Sequence, residues 1–445
     1  MKVIHLSVEC FPVAKVGGLA DVVGALPKYQ RELGIDASVI MPYFNTKFTK
    51  ENTLDVVASG EFYQGSSLLQ YEFLKEKNDV LGFPLYLVKI PNLLDREEIY
   101  SYQDEADQWI AFQHAVLSYL KNQQVNPDVL HCHDHHVGLI PFLTKWSNEF
   151  QILKDVKTVF TVHNGQYQGW MPWSKGIIIP PFDTWKWGLL DWDGLINPLA
   201  TAIKCCDAYT TVSEGYLKEL YVQANGLQNL FYDERDKSFG IVNGIDTSLW
   251  DPQIDILIDH QYSISDVDQG KADNKRAFCQ EFGLDTSLPL LSYIGRFATE
   301  KGAEILPELI ENLFKRSSGK LSIFILGSGD VGIQHNIQQV ADSFKKDLAV
   351  FFGYNEQLAH RVYAASDLLI MPSRVEPCGL NQLYALKYGT IPVVRKIGGL
   401  KDTVKDVEQG GYGFLFDQVD AEEAAHTVTR AIEYLSDADN LSMTR

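Results

Sequence analysis

The residues best suited to chemistry in this 445-residue chain sit in short polar runs that follow apolar ones. Glu376 comes after a strand-like run at residues 367–371 and before Pro377-Cys378-Gly379-Leu380. Proline fixes φ and glycine admits close backbone approach, so the pattern reads as strand, sharp turn and helix. A helix predicted to begin near Cys378, with Leu380, Leu383, Tyr384 and Leu386 toward a core, turns its first N–H groups to the turn, where phosphate binds. Gly398-Gly399-Leu400, after a strand predicted over 391–394, promises a second set of donors. The loop from Gly295 to Gly302 places Arg296 and Lys301 after a strand predicted over 290–294, at the end where open α/β sheets take ligands. The two anion-accepting turns and the one acid point to a phosphorylated ligand whose reacting carbon lies near Glu376, while Arg296 and Lys301 taken alone read as a solvated pair of charges.

Other polar runs are more ambiguous. Lys15 lies in the glycine turn Ala14-Lys15-Val16-Gly17-Gly18-Leu19, between a strand predicted over 3–8 and a helix with Leu19, Val22, Val23, Leu26, Tyr29 and Leu33 on one side. The turn lacks G-x-G-x-x-G spacing, which disfavours a dinucleotide-dependent oxidoreductase. Four imidazoles crowd His131-Cys132-His133-Asp134-His135-His136, yet a strand sends alternate side chains to opposite faces, so this spacing does not gather all four on one ion. D-x-D triplets recur at 191–193, 266–268 and 437–439 and so discriminate nothing; no metal is expected. His163-Asn164 ends a strand predicted over 158–162 and precedes an aromatic stretch with Trp170, Trp173, Trp185, Trp187 and Trp192, whose faces suit sugar rings.

These residues need two scaffolds. The length exceeds what one core usually serves, and β and α patterns alternate in both halves, predicting two doubly wound parallel sheets over residues 1–240 and 241–445 with a hinge at Asn243-Gly244. Residues 45–107 read as less regular, with short strands predicted over 68–74 and 85–88 and then a polar stretch over 92–107. The net charge, 39 − 58 = −19, repels nucleic acid and anionic membrane. The six cysteines have neither metal nor disulfide spacing, which fits a reducing cytoplasm. Neither a signal peptide nor an apolar run of membrane-spanning length is visible.

The run Pro372-Ser373-Arg374-Val375-Glu376-Pro377-Cys378-Gly379-Leu380 resembles the E-x-x-G stretch of retaining glycosyltransferases, and within them the bacterial glycogen synthase and plant starch synthase family (family 5). The Lys15 turn is similar to that family's K-x-G-G-L, residues 131–136 to H-x-H-D-W-H with His135 in place of Trp, Thr161-Val162-His163-Asn164 to T-x-H-N, and residues 295–302 to G-R-x-x-x-x-K-G. The resemblance implies a GT-B fold, two Rossmann-like domains facing a central cleft, the first on the acceptor side and the second on the donor side, with closure assembling the site. It implies that Lys15, placed by Asp21, meets the donor's distal phosphate together with the backbone at Gly17 and Gly18. By the same resemblance Asp134 is on the sugar or acceptor side, His163 and Asn164 lie beside the transferred glucose, and Tyr354 lies against the base. Arg296 and Lys301 neutralise the departing phosphate, while Glu376, Cys378, Gly379, Leu380 and Asn381 complete the donor side and Asn243 joins the ligand-contacting positions. Asn381 stands where the family often has Thr, and Leu94 stands before Asp95-Arg96 where it usually has an aromatic residue.

The implied activity adds glucose from a nucleotide-glucose, ADP-glucose favoured, to the non-reducing end of an α-1,4-glucan with retention, the departing phosphate accepting the hydroxyl proton. Donor and glucan are then the partners, with no separate cofactor. The alternatives are a retaining enzyme of the same fold acting on a small acceptor, and a catalytically idle glucan-binding protein. The family also implies a last helix that crosses back to the first domain, where this chain reads as a polar tail ending at Arg445.

Overall fold

The computed structural model describes residues 1–317 and 320–445. Its internal contacts divide the chain into two units, Met1–Val212 with Leu217–Ile241, and Ser213–Tyr216 with Val242–Arg445.

The first unit contains β1 (Lys2–Leu6), β2 (Asp36–Pro42), β3 (Leu54–Gln64), β4 (Ser67–Glu76), β5 (Leu85–Lys89), β6 (Val129–His133), β7 (Lys157–Val162), the short pair β8 (Asp191–Trp192) and β9 (Leu195–Ile196), β10 (Ala208–Thr211) and β11 (Ser238–Gly240). Its nine-stranded sheet runs β11-β10-β7-β6-β1-β2-β5-β4-β3. Pairing is parallel except where β4 meets β3 and β5. Leu6, Val39, Leu130 and Phe160 are fully buried, as strands covered on both faces require. From β1 the chain goes to β2 on one side and later returns to β6 on the other, so the topological switch point lies between β1 and β6.

Residues 45–107 are more regular than their composition suggests. β3 and β4 form a long hairpin closed at Gly65-Ser66, with Gly65 at φ 61°; much of β3 is exposed, so no apolar alternation announced that strand, whereas β4 and β5 match the strands predicted over 68–74 and 85–88. The helix Gly18–Glu32 buries Leu19, Ala20, Val23 and Pro27, while Leu33, expected on its inner side, is exposed beyond its end.

The second unit contains β12 (Leu290–Phe297), β13 (Ser322–Gly329), β14 (Leu348–Phe352), β15 (Leu368–Met371), β16 (Ile391–Arg395) and β17 (Phe414–Phe416), in one parallel sheet ordered β14-β13-β12-β15-β16-β17. Its switch point lies between β12 and β15. The helix Leu306–Ser317 repeats apolar residues at Leu306, Leu309, Ile310, Leu313 and Phe314, one helical face, and joins the core with Ala424, Ala425, Val428 and Ala431 of the helix Ala421–Leu435. The expected polar tail is helical over Ala438–Thr444, because Asp437 caps it by accepting from the Asp439 and Asn440 amides. Arg445 pairs with Asp268 and Asp367. No described helix is long and apolar enough to cross a membrane.

Candidate active site

In the second unit, the loops leaving β12 and β15 meet at the switch point. Gly302 holds them together: it sits at φ 65°, and a Cβ there would fall 2.1 Å from the Pro372 carbonyl oxygen. The Arg374 and Val375 amides donate to the Glu300 carbonyl. The result is an ion pair between residues far apart in sequence: Lys301 Nζ lies 2.8 Å from both Oε1 and Oε2 of Glu376. Ser373 Oγ donates to Oε2 at 2.9 Å, and the Glu376 side chain is 7% exposed against 27% for Lys301. Arg296 is half exposed and pairs with Glu300 at 2.6 Å. Each cation therefore already has a carboxylate beside it.

The turn after Glu376 differs from expectation in two ways. The helix starts at Asn381, three residues later than predicted, and buries Gln382, Tyr384 and Ala385, leaving Leu380, Leu383 and Leu386 half-buried. Gly379 takes φ 76°, a backbone better suited to a turn than to a first helical residue. Secondly, the glycine turn after β16 does not present all its donors: Gly399 N–H bonds the Glu376 carbonyl at 3.0 Å, and Leu400 N–H bonds that of Ile397. A Cβ on Gly399 would lie 2.3 Å from the Cys378 carbonyl oxygen, so this glycine permits the two turns to touch. Cys378 is buried, and burial pushes its thiol up to about 12 against the opposing effect of the Asn243 amide, so it stays in the neutral thiol form. Asn381 Nδ2 donates to the Ile294 carbonyl at 2.7 Å and braces β12. Tyr354 is exposed in the loop after β14, its hydroxyl bonded to Glu356.

In the first unit, the turn after β1 holds Lys15 Nζ at 2.8 Å from Asp21 Oδ1 and over the Phe11 ring. The Gly17 backbone, expected to face a phosphate, has a side-chain partner. Glu9 Oε2 accepts from the Val16 and Gly17 amides at 2.7 and 2.9 Å, and Glu9 Oε1 accepts from Tyr100 Oη at 2.7 Å. A buried carboxylate thus occupies donors that the spacing offered to a ligand, while Gly18 begins the helix.

At the other side of the switch point, Asp134 ends β6 with φ 60° and ψ 175°. A non-glycine residue there costs on the order of 1–3 kcal/mol and persists only where its surroundings hold it. Its Oδ1 accepts from the His163 amide at 2.7 Å and from Asn164 at 3.4 Å, tying the ends of β6 and β7 together. Burial raises its carboxyl to about 7, against the two amide bonds. Asn164 accepts from the Gln166 amide. Leu94 is buried and so offers no stacking face to an acceptor.

Strand alternation puts His131 and His133 on the same face, and the neighbouring β1 adds His5, which sequence reasoning missed because the parallel register His5↔His131 is not a local property. Among the described residues this is the His, Cys, Asp or Glu group compact enough to hold an ion. The rings also contact one another. His131 and His133 stack at 4.2 Å with planes 27° apart, and His5 and His133 share a hydrogen bond. Of the D-x-D triplets, Asp191 accepts from Trp173 Nε1, and Asp266 and Asp437 stand at helix starts.

The profile of the starch synthase catalytic domain matches residues 2–233, and that of glycosyl transferases group 1 matches residues 274–442. The glycogen synthase of Flavobacterium johnsoniae is 47% identical over 437 residues, covering 98% of this chain and 92% of that protein. That of Geobacillus stearothermophilus is 35% identical, covering 98% and 90%. Among solved structures, the catalytic domain of starch synthase IV from Arabidopsis thaliana, bound to ADP and acarbose, superposes with a TM-score of 0.89 at 30% identity, over 99% of this chain and 94% of that one. A sucrose-phosphate synthase from Thermosynechococcus elongatus, at 16% identity and a TM-score of 0.59, shares the fold, over 99% of this chain and 92% of that one.

Proposed function

The chain belongs to the glycogen synthase and starch synthase family of GT-B glycosyltransferases, and from that premise we propose how its residues divide the work of glucosyl transfer. It is a retaining glucosyltransferase that extends an α-1,4-glucan. We assign ADP-glucose as the preferred donor, supported by the ADP bound in the starch synthase IV structure.

The observation that carries the assignment of residues is the Lys301–Glu376 pair at the switch point of the second sheet. Transfer breaks the bond from the anomeric carbon to the distal phosphate and forms one to the acceptor's 4-oxygen, whose proton passes to the departing phosphate on the same face. Negative charge collects on that phosphate, and preorganised cations stabilise it most where water is excluded. Glu376 grips Lys301 through both oxygens and thereby fixes its direction; the ammonium has a third N–H to give the phosphate. Arg296, half exposed, swings from Glu300 to supply the second charge. With two such cations we propose that no divalent metal is needed. In the first unit, Lys15 held by Asp21 is the phosphate-side cation, and His163 and Asn164, held by Asp134, are the sugar-side contacts.

The test is nucleoside diphosphate release from ADP-glucose and UDP-glucose, each with and without glycogen. Glycogen-dependent release, faster with ADP-glucose, is expected. Release without glycogen, or no preference for ADP-glucose, contradicts the corresponding half of the proposal.

A further inference from the structure

Three imidazoles on adjacent strands form an unbroken hydrogen-bonded row. Gln30 Oε1, on the helix after β1, lies 2.7 Å from His5 Nε2. His5 Nδ1 lies 3.0 Å from His133 Nε2, and His133 Nδ1 lies 3.0 Å from His163 Nε2. His131 stands beside this row and bonds Thr161 Oγ1 instead, at 2.7 Å. At the far end, His163 Nδ1 has no hydrogen-bond partner among the described residues, and His163 retains 8% exposure. The row therefore begins at a side-chain amide on a helix and ends on the imidazole assigned above to the sugar.

A neutral imidazole carries one N–H and one lone pair, so a row of three has only two proton arrangements, running in opposite directions. Burial keeps these rings neutral: it lowers His5 to about 4 and His163 to about 3, and His133 falls well below its ordinary value, from burial first and the adjoining imidazoles second. An amide oxygen accepts and never donates. With Gln30 Oε1 facing His5 Nε2, the proton of His5 must be on Nε2, that of His133 on Nε2, and that of His163 on Nε2. Reversing the Gln30 amide would reverse every ring.

We propose that Gln30 is a positioning residue which, through His5 and His133, sets the tautomer of His163, so that His163 offers an unprotonated Nδ1 as a hydrogen-bond acceptor. Resting on the assignment of His163 to the transferred sugar, this makes the recognised group a sugar hydroxyl that donates. An imidazolium or the opposite tautomer would offer an N–H there and reject the same hydroxyl proton.

The tautomer is measured without substrate, so its outcome is separate from the functional reading. In the full-length protein labelled with 15N-histidine, long-range 1H–15N correlation should show His163 with a protonated Nε2 and a pyridine-type Nδ1. Gln30→Glu, which retains an acceptor, should keep that pattern. Gln30→Met, of similar size but without polarity, should give both tautomers at His163 and lower kcat about tenfold, one hydrogen bond's worth, with KM for the donor little changed. Protonated Nδ1 in the native protein, or an unaltered His163 pattern in Gln30→Met, overturns the proposal. A mixed tautomer with kcat unchanged supports the row but removes His163 from the sugar.

Discussion

Arg296 and Lys301 are assigned the same task, but the structure predicts that replacing each with alanine has different consequences. Arg296 is half exposed and pairs with Glu300 in its own loop, a carboxylate 24% exposed. Pairs of this kind contribute about 0–1 kcal/mol to stability, whereas loss of a charged transition-state donor lowers kcat by about 10²–10³. Lys301 is bound to a carboxylate that is 7% exposed and keeps only the Ser373 hydroxyl when the lysine is removed. Breaking a buried pair from one side costs about 3–5 kcal/mol. At roughly 2–4 °C per kcal/mol for a unit of this size, Arg296→Ala should unfold within about 4 °C of the native protein, and Lys301→Ala about 10 °C lower. Adding Glu376→Gln to Lys301→Ala removes the stranded charge and should restore most of that loss without restoring activity. Thermal unfolding and kcat from diphosphate release, measured on all four proteins, check this. A kcat for Arg296→Ala within about threefold of native would refute the charge argument. A Lys301→Ala protein as stable as native would refute the buried-pair argument.

Other consequences can be measured independently. His5 and His135, lowered to about 4, His163, lowered to about 3, and His131, His133 and His136, lowered well below their ordinary value by burial, bind protons less readily folded than unfolded, so their stability is present above about 6.5 and lost as pH falls toward 4. Asp134, raised to about 7, acts oppositely, its contribution fading as pH rises through 7, but it is one group against six; the unfolding temperature should drop between pH 6.5 and 5, and a flat profile would contradict burial of neutral imidazoles. Gly399→Ala drives a methyl to 2.3 Å from the Cys378 carbonyl oxygen, so it should shift the Glu376 turn, destabilise by about 1–3 kcal/mol and lower kcat, measured by the same two assays. Glucosyl transfer should proceed at an unchanged rate in excess EDTA; a loss restored by magnesium would show that Arg296 and Lys301 do not suffice.

Much of the second unit was legible because its chemistry sits in loops directly after apolar strands, and the parallel order then brings the ends of β12 and β15 together. That Lys301 bonds Glu376 was not legible: each lay in its own motif, and their meeting depends on which strands flank the switch point. The first unit was harder to read. His5 is an isolated histidine in an apolar strand until β1 pairs with β6, and Glu9 gives no local sign of turning back to the Val16 and Gly17 amides. β4 and β5 were legible as short apolar strands, but β3 was missed because most of it is exposed and carries no clean alternation, though Gly65-Ser66 ahead of β4 was a usable turn signal. Strain at Asp134 has no sequence signature at all; only the backbone angles show it.

Retaining transfer to the 4-hydroxyl of an α-1,4-glucan fixes where and with what stereochemistry glucose is placed. ADP-glucose labelled with 13C at the anomeric carbon, supplied with a maltooligosaccharide, should give a product whose new terminal residue shows an α-configured anomeric signal with a bond to the acceptor's 4-carbon, lost in Arg296→Ala. A β-linked product, attachment at another hydroxyl, or free glucose in place of chain extension would contradict it.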